Sequence, residues 1–211
     1  DIGEIIPLEE IYKFTYTGRI SNVLLGGGLE NFLEKYQGEY LLYPICTSST
    51  YHNVNKSELR FLEILIKLCK EESLPLFIRP YPLAPSKDLL AANTDSDLIF
   101  LDSSSTFKDG HEVFDANEIN NKLYQIKNAR AVVNLGTTFV FDAAALNRPV
   151  VQLRLGATFG AVSEISDYEH IATFLNNDLK ELMDYEELKD YIVSNIDSLE
   201  KTKRLRDFLN L

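Results

Sequence analysis

A glycine and two threonines in the middle of the chain have the types and the position of a phosphate-binding loop. They are Gly136, Thr137 and Thr138. The loop follows the apolar segment 131–134 and precedes segment 139–146, which is apolar except for Asp142. If segment 139–146 is a helix, a threonine caps its start, and the unpaired N–H groups there favour an anion. Asp142 then shares a helical face with Thr138, and its carboxylate leans towards the loop, where a sugar hydroxyl can reach it.

The same loop also has a purely structural interpretation. Threonines commonly cap helices, and a carboxylate in the first turn favours the helix dipole by about 0.3–1 kcal/mol. The two interpretations carry about equal weight on the residues alone. A solitary charge on an apolar helix is costly to bury, which favours the functional one.

Two strands joined by a helix must position this loop, and such strands are parallel. Short apolar runs alternate with amphipathic ones along the whole chain. The predicted strands are 13–17, 40–46, 76–79, 98–101, 131–134 and 150–153, and the predicted helices are 29–36, 56–72, 117–128, 139–146, 168–175, 185–196 and 197–209. This alternation predicts a Rossmann-like α/β fold with three layers, α/β/α, around a mainly parallel sheet of about six strands.

Two patterns predict details of the helices. Asn55 and Glu58 have the spacing of a capping box, which would start the second helix. Ile119, Leu123 and Ile126 recur at helical spacing and predict the buried stripe of the helix before the phosphate-binding loop.

A second polar loop follows strand 40–46. It contains four hydroxyl residues, beginning with Thr47 and Ser48. Because ligands bind beyond the carboxyl ends of parallel strands, this loop is expected to face the same crevice as Thr137. The hydroxyls are candidates for substrate contacts, although serine and threonine also populate loops for conformational reasons.

Arg79 ends the apolar strand 76–79. A basic residue at the tip of a buried strand generally needs an anion. We therefore expect Arg79 to supply a countercharge at the crevice, and a surface salt bridge is the alternative.

Charge and composition exclude several classes of partner. The 211-residue chain has a formal net charge of −11, whereas nucleic acids and anionic membranes require clustered Lys and Arg. No apolar run approaches the roughly 18 residues of a transmembrane helix. The three histidines are scattered and predict no metal site. Cys46 and Cys69 lie in apolar surroundings and are expected to be free core thiols of a reducing compartment.

The residues around the phosphate-binding loop resemble the donor-site segment of GT-B-type transferases. The resemblance lies in ARAVVNLGTT at 129–138, in DAA at 142–144 and in RPVV at 148–151. The most similar group comprises bacterial surface-polysaccharide glycosyltransferases and CDP-glycerol glycerophosphotransferase-like proteins. In their pattern a strand ends in a Ser-Thr turn, where Thr137 and Thr138 stand here. An acidic residue and alanine follow on the helix, where Asp142 stands.

The resemblance implies how a donor is bound. The phosphates of a nucleotide-sugar or CDP-glycerol would lie on Gly136–Thr138, and ribose or donor hydroxyls on Asp142. The donor is a substrate, and no separate cofactor is expected. The family also places an arginine and a histidine after strand 76–79, both expected at the donor phosphate. Arg79 matches this arginine, and Tyr81 stands in place of the histidine, so an acid role does not carry over.

The resemblance also implies the domain organisation. Residues 1–12 would be a linker or lead-in, residues 13–196 the Rossmann-like nucleotide-sugar-binding domain, and residues 197–211 a terminal helix. Such a domain is usually the carboxyl-terminal half of a GT-B protein. A second Rossmann-like domain of the parent protein would then carry the general base, so no catalytic residue is assigned and this chain alone is expected to be inactive. The parent is expected in the cytoplasm, at the inner face of a bacterial membrane.

Two other functions fit the same architecture. A UDP-N-acetylglucosamine 2-epimerase has this fold, but it needs acid and base groups at the cleft, and two of the three histidines lie away from predicted strand ends. A degenerate, non-catalytic binding module is the other alternative, and Tyr81 in the place of histidine favours it.

Overall fold

A computed structural model describes residues 29–46, 52–80, 96–102, 107–108, 111–112, 116–155, 181–182 and 185–209. Four sequence predictions lie outside the described residues: strand 13–17, the loop residues Thr47 and Ser48, Tyr81, and helix 168–175.

The described strands and helices alternate along the chain. The strands are β1 (Leu41–Pro44), β2 (Leu76–Arg79), β3 (Ile99–Leu101), β4 (Phe107–Lys108), β5 (His111–Glu112), β6 (Ala131–Asn134), β7 (Val150–Gln152), β8 (Arg154–Leu155) and β9 (Glu181–Leu182). The helices are α1 (Leu29–Tyr36), α2 (His52–Glu71), α3 (Ala116–Asn128), α4 (Phe139–Ala145), α5 (Tyr185–Asn195) and α6 (Glu200–Leu209).

Five strands form one wholly parallel sheet in the order β3-β2-β1-β6-β7. Pro44 lies opposite Arg79, and Leu42 lies opposite Val132. Strands β4 and β5 form a small antiparallel pair, and β8 and β9 a small parallel one. The predicted Rossmann-like α/β fold with a mainly parallel sheet is confirmed, and five of the six predicted strands are found.

Strand alternation divides the core into two faces. Leu41 and Tyr43 of β1 pack on one face with side chains of α2 and α5. Leu42 packs on the other face with side chains of α1, α3, α4 and α6. Successive side chains of a strand point to opposite sides, so short apolar strands fill both layers. The sheet is therefore the middle of three layers.

The start of α2 differs from the sequence prediction. The helix begins at His52, so Asn55 lies inside it and the capping box is wrong. Glu58 is instead fully buried, and its carboxylate accepts hydrogen bonds from the Tyr43 hydroxyl at 2.6 Å and the Cys46 N–H at 2.7 Å. Burial and the Glu58 carboxylate raise the pKa of both Tyr43 and the Cys46 thiol well above their ordinary values. Glu58 thus holds the end of β1 rather than the start of α2.

Helix α3 buries amides as well as apolar side chains. Leu123 and Ile126 are buried as predicted, but Ile119 is 45% exposed, so this part of the predicted stripe is wrong. Three amides on the helix are buried at helical spacing, and they are Asn121, Gln125 and Asn128. Apolar periodicity missed this face because its side chains are polar, and Gln125 packs at the ends of β2 and β3 through hydrogen bonds with Arg79 and Asp102.

Both cysteines are free and buried, as expected from their apolar surroundings. Burial raises the pKa of the Cys69 thiol to about 12. Helix α6 packs on the face of the sheet that holds Leu42, because Leu205 is buried there and Thr202 donates a 2.6 Å hydrogen bond to the Arg148 carbonyl. None of the helices in the described segments combines the length and the apolar character needed to cross a membrane.

Candidate functional site

The candidate site lies where the direction of the strand order reverses. From β1 the chain adds β2 and then β3 on one side, whereas β6 and β7 lie on the other side. Strands β1 and β6 are therefore neighbours, about 4.8 Å apart, and the helices that follow them, α2 and α4, pack on opposite faces of the sheet. Open α/β sheets bind ligands beyond the carboxyl ends of the strands at such a point.

The loop between β6 and α4 is held by the last residue of β6. The Asn134 side-chain oxygen accepts hydrogen bonds from the Thr137 N–H at 3.1 Å and from the Thr137 hydroxyl at 2.6 Å. The Thr137 hydroxyl in turn accepts the Phe139 N–H at 3.3 Å. Thr138 occupies the cap position but makes no side-chain capping bond. Thr137 is therefore the threonine whose hydroxyl accepts a backbone N–H at the start of the helix.

A second amide supports the same loop from β7. The side-chain nitrogen of Asn134 donates to the Gln152 side-chain oxygen at 2.7 Å, and Gln152 donates to the Leu135 carbonyl at 3.2 Å. Both amide side chains are buried. The sequence prediction did not include them, although both stand at the last position of an apolar strand. Their bonds fix the backbone around Gly136, which is itself buried.

Asp142 lies in the first turn of α4 and is paired with a lysine of α3. Its carboxylate is 2.6 Å from the Lys122 ammonium, which also lies 5.0 Å above the Phe139 ring. The Asp142 side chain is 12% exposed and the Lys122 side chain 25%. The prediction did not include Lys122, because its contact depends on how α3 packs beside α4.

Arg79 ends β2 as predicted, and its charge is paired inside the protein. It is 4% exposed, donates a 2.8 Å hydrogen bond to Gln125 and lies 3.6 Å from the Asp102 carboxylate. Gln125 donates to the same carboxylate at 3.0 Å. The pair is therefore buried rather than a surface salt bridge. The ion pair and its hydrogen bonds therefore hold the end of β2 beside the end of β3.

The structure brings most of the predicted residues to one edge of the sheet. Because Pro44 is level with Arg79, and Leu42 with Val132, the end of β2 is level with the end of β6. Arg79 is thus two strand spacings, about 9.6 Å, from the strand that carries the loop. Gly136, Thr137, Thr138 and Asp142 form one local unit beyond β6. Among the residues that the structure describes, no group of three or more His, Cys, Asp or Glu side chains could hold a metal ion.

No protein-family model matches the sequence, and no curated protein matches it. The fold is similar to that of an α,α-trehalose-phosphate synthase (UDP-forming) from Burkholderia xenovorans, with a TM-score of 0.53 and 10% identity over 96% of this chain and 45% of that protein. A proposed UDP-N-acetylglucosamine 2-epimerase from Listeria monocytogenes aligns with a TM-score of 0.47 and 16% identity over 82% of this chain. The chain spans 41% of that second protein, so it covers less than half of either structure. The similarity to the synthase shows the fold, a Rossmann-like domain like those of GT-B-type enzymes.

Proposed function

We propose that the chain is the donor-binding half of a GT-B-type transferase that uses a nucleotide-sugar or CDP-glycerol. The observation that carries this proposal is the position of the loop at 136–138. This loop leaves β6, next to β1, at the point where the strand order reverses. That point is the general ligand position of open α/β sheets.

In this proposal the donor phosphates lie on the Gly136–Thr138 loop. Asn134 and Gln152 hold the loop in place before any ligand arrives, because their hydrogen bonds are made within the protein. A preorganised loop binds phosphate without an ordering cost and stabilises a leaving diphosphate better than a mobile one.

The Asp142 carboxylate holds ribose or donor hydroxyls, and Lys122 fixes its orientation. The ammonium lies 2.6 Å from the carboxylate and fixes its position for a hydroxyl donor. Lys122 also balances the Asp142 charge beside the loop, in a chain whose formal net charge is −11. The ion pair therefore reduces the repulsion that Asp142 alone would exert on an anionic donor.

Arg79 contributes to the phosphate site from two strands away. Asp102 and Gln125 order its guanidinium and balance its charge, so in this proposal Arg79 acts as a fixed hydrogen-bond donor and not as an unpaired countercharge. Thr47, Ser48 and Tyr81 complete the donor contacts in this proposal.

A second Rossmann-like domain would supply the acceptor site and the general base. The chain covers 45% of the synthase of similar fold, which leaves room in a protein of that size for another domain. The whole protein would then act at the cytoplasmic face of a bacterial membrane in surface-polysaccharide synthesis.

Calorimetry on the 211-residue chain with UDP-N-acetylglucosamine and CDP-glycerol tests this proposal. We expect one of the two donors to bind the wild type, and Asp142→Asn to weaken that binding about tenfold or more. Asp197→Asn is the matched control, because Asp197 pairs with Arg130 at the same 2.6 Å distance near the opposite edge of the sheet. The proposal fails if neither donor binds, and conversion of UDP-N-acetylglucosamine to its 2-epimer would replace transferase by epimerase.

A further inference from the structure

Asn121 of α3 has a buried side-chain oxygen that accepts no hydrogen bond from the residues that the structure describes. The residue is 9% exposed. A buried acceptor without a partner destabilises the folded protein relative to one that accepts a hydrogen bond. Most buried polar side-chain atoms in proteins are paired, so an orphan of this kind needs a reason.

The packing of α3 places Asn121 beside the candidate site. The end of the helix lies at the amino edge of the sheet, where the Asn128 carbonyl accepts the Gly38 N–H at 2.7 Å. One turn earlier, Gln125 contacts Arg79 and Asp102 at the carboxyl ends of their strands. Asn121 lies a further turn along, about 6 Å beyond Gln125 and on the same face of the helix. Its neighbour Lys122 contacts Asp142.

Asn128 shows that the same residue type can be fully paired on this helix. It is also 9% exposed. Its side-chain oxygen accepts the Gln37 amide at 2.8 Å, and its side-chain nitrogen donates to the Tyr124 carbonyl at 2.9 Å. Among the described residues the other buried side-chain atom without a partner is Nε of Arg148, which precedes β7 at the amino edge. Asn121 is therefore the orphan at the carboxyl edge.

We propose that Asn121 accepts a hydrogen bond from an N–H or O–H group of the bound nucleotide-activated donor. This inference rests on the proposed function and adds a specificity residue to that site. Two parts of a nucleotide could supply the hydrogen, an N–H of the base or a hydroxyl of the ribose. In either case the ligand donates a hydrogen bond to the Asn121 oxygen, whose burial without a partner lowers the stability of the free protein.

Replacing Asn121 by leucine separates the two consequences of this idea. Leucine has a similar size and no polar atom, so Asn121→Leu removes the buried orphan and is expected to raise the unfolding temperature of the free chain. The same change is expected to weaken binding of UDP-N-acetylglucosamine or CDP-glycerol, whichever the wild type binds, at least tenfold. Asn128→Leu is the matched control, expected to lower the unfolding temperature and to leave donor affinity unchanged.

Nucleotide analogues identify which ligand group donates. If UDP-N-acetylglucosamine is the donor that binds, UDP, N3-methyl-UDP and 2′-deoxy-UDP are compared on the wild type and on Asn121→Leu. If an N–H of the base donates the hydrogen bond to Asn121, N3-methylation is expected to weaken binding to the wild type only. If the 2′-hydroxyl of the ribose donates it, the 2′-deoxy analogue is expected to show the same selective loss. If CDP-glycerol binds instead, CDP, N4,N4-dimethyl-CDP and 2′-deoxy-CDP take their places.

A spectroscopic measurement keeps the inference testable if a variant does not fold. In the wild type, the side-chain amide resonance of Asn121 is expected to shift when the bound nucleotide is added, and that of Asn128 is expected to stay. Unchanged donor affinity in a folded Asn121→Leu, or an unmoved Asn121 resonance, would overturn the inference while leaving the donor-binding proposal standing. A wild type that binds neither donor would remove both.

Discussion

At the amino edge of the sheet, both side-chain groups of Asn128 form hydrogen bonds, one with Gln37 and one with the Tyr124 carbonyl. Asn121 of the same helix instead has a side-chain oxygen without a partner among the described residues. The ion pairs differ in a similar way. Arg130 and Asp197 form an exposed pair near the amino edge, and Arg79 and Asp102 a buried one at the carboxyl edge.

The contrast separates polar groups whose pairing stabilises the fold from buried polar groups that lower its stability. An exposed ion pair is screened by water and contributes little to stability, typically about 0–1 kcal/mol. A buried charge and a buried orphan are costly and are retained where a ligand or a strand end requires them. The following variants test whether polar groups at the two edges of the sheet differ in their effects on stability and donor binding.

The largest expected effect is on stability at the carboxyl edge. Arg79→Met leaves the Asp102 carboxylate buried beside an apolar side chain, and we expect it to lower the free energy of unfolding by about 3–5 kcal/mol. Arg130→Met, at the exposed pair, is expected to lower it by no more than about 1 kcal/mol. Urea unfolding followed by circular dichroism measures both. Equal losses would contradict the comparison, and Arg79→Met combined with Asp102→Leu is expected to recover much of the stability.

Threonine-to-valine changes give a matched pair with an intermediate effect. Thr137→Val removes a hydroxyl that bonds Asn134 and Phe139 at the candidate site. Thr202→Val removes one that bonds the Arg148 carbonyl near the amino edge. Thr137→Val thus loses two hydrogen bonds and Thr202→Val loses one, and each bond contributes about 1 kcal/mol to stability. Calorimetry is expected to show weaker donor binding for Thr137→Val alone, so a similar affinity in both variants would argue against a ligand at the loop.

The smallest expected effect is a titration at the amino edge. Hydrogen bonding from Arg130 holds the pKa of Asp197 below its ordinary value. A carboxyl whose pKa is lowered by folding stabilises the protein above its unfolded pKa, and this contribution is lost as the pH falls through the folded pKa. Carbon-13 NMR of the carboxyl resonance, recorded against pH, is expected to show a higher pKa in Arg130→Met. An unchanged value would show that the pair is absent in solution.

Much of the fold could be predicted from local patterns. Helix 29–36 and strands 76–79 and 131–134 agree with the structure at both ends, because each is a short run with clear apolar periodicity bounded by polar or turn residues. The capping box at Asn55 failed because Glu58, which looked like a capping residue, is used in a tertiary contact with Tyr43. The prediction that Ile119 is buried was wrong because periodicity does not show which part of a helix lies beyond the edge of the sheet.

The candidate site was predicted less completely than the fold. The loop 136–138 and Asp142 could be found because they are contiguous and follow a strand. Their partners could not. Lys122 lies on another helix and Gln152 on another strand, so their contacts with Asp142 and Leu135 depend on strand order and helix packing.

The sequence by itself determined the five strands of the parallel sheet and the helices between them, but not the two-residue strands β4, β5, β8 and β9. The longer elements could be predicted because they depend on side-chain type and spacing along a short stretch of chain. Only the tertiary structure decided that β1 pairs with β6, that Arg79 is neutralised by Asp102, and that Asn121 is buried without a partner. Hydrogen bonds and charge pairs join residues that are distant in sequence, and their energies depend on burial, which exists only once the layers have packed.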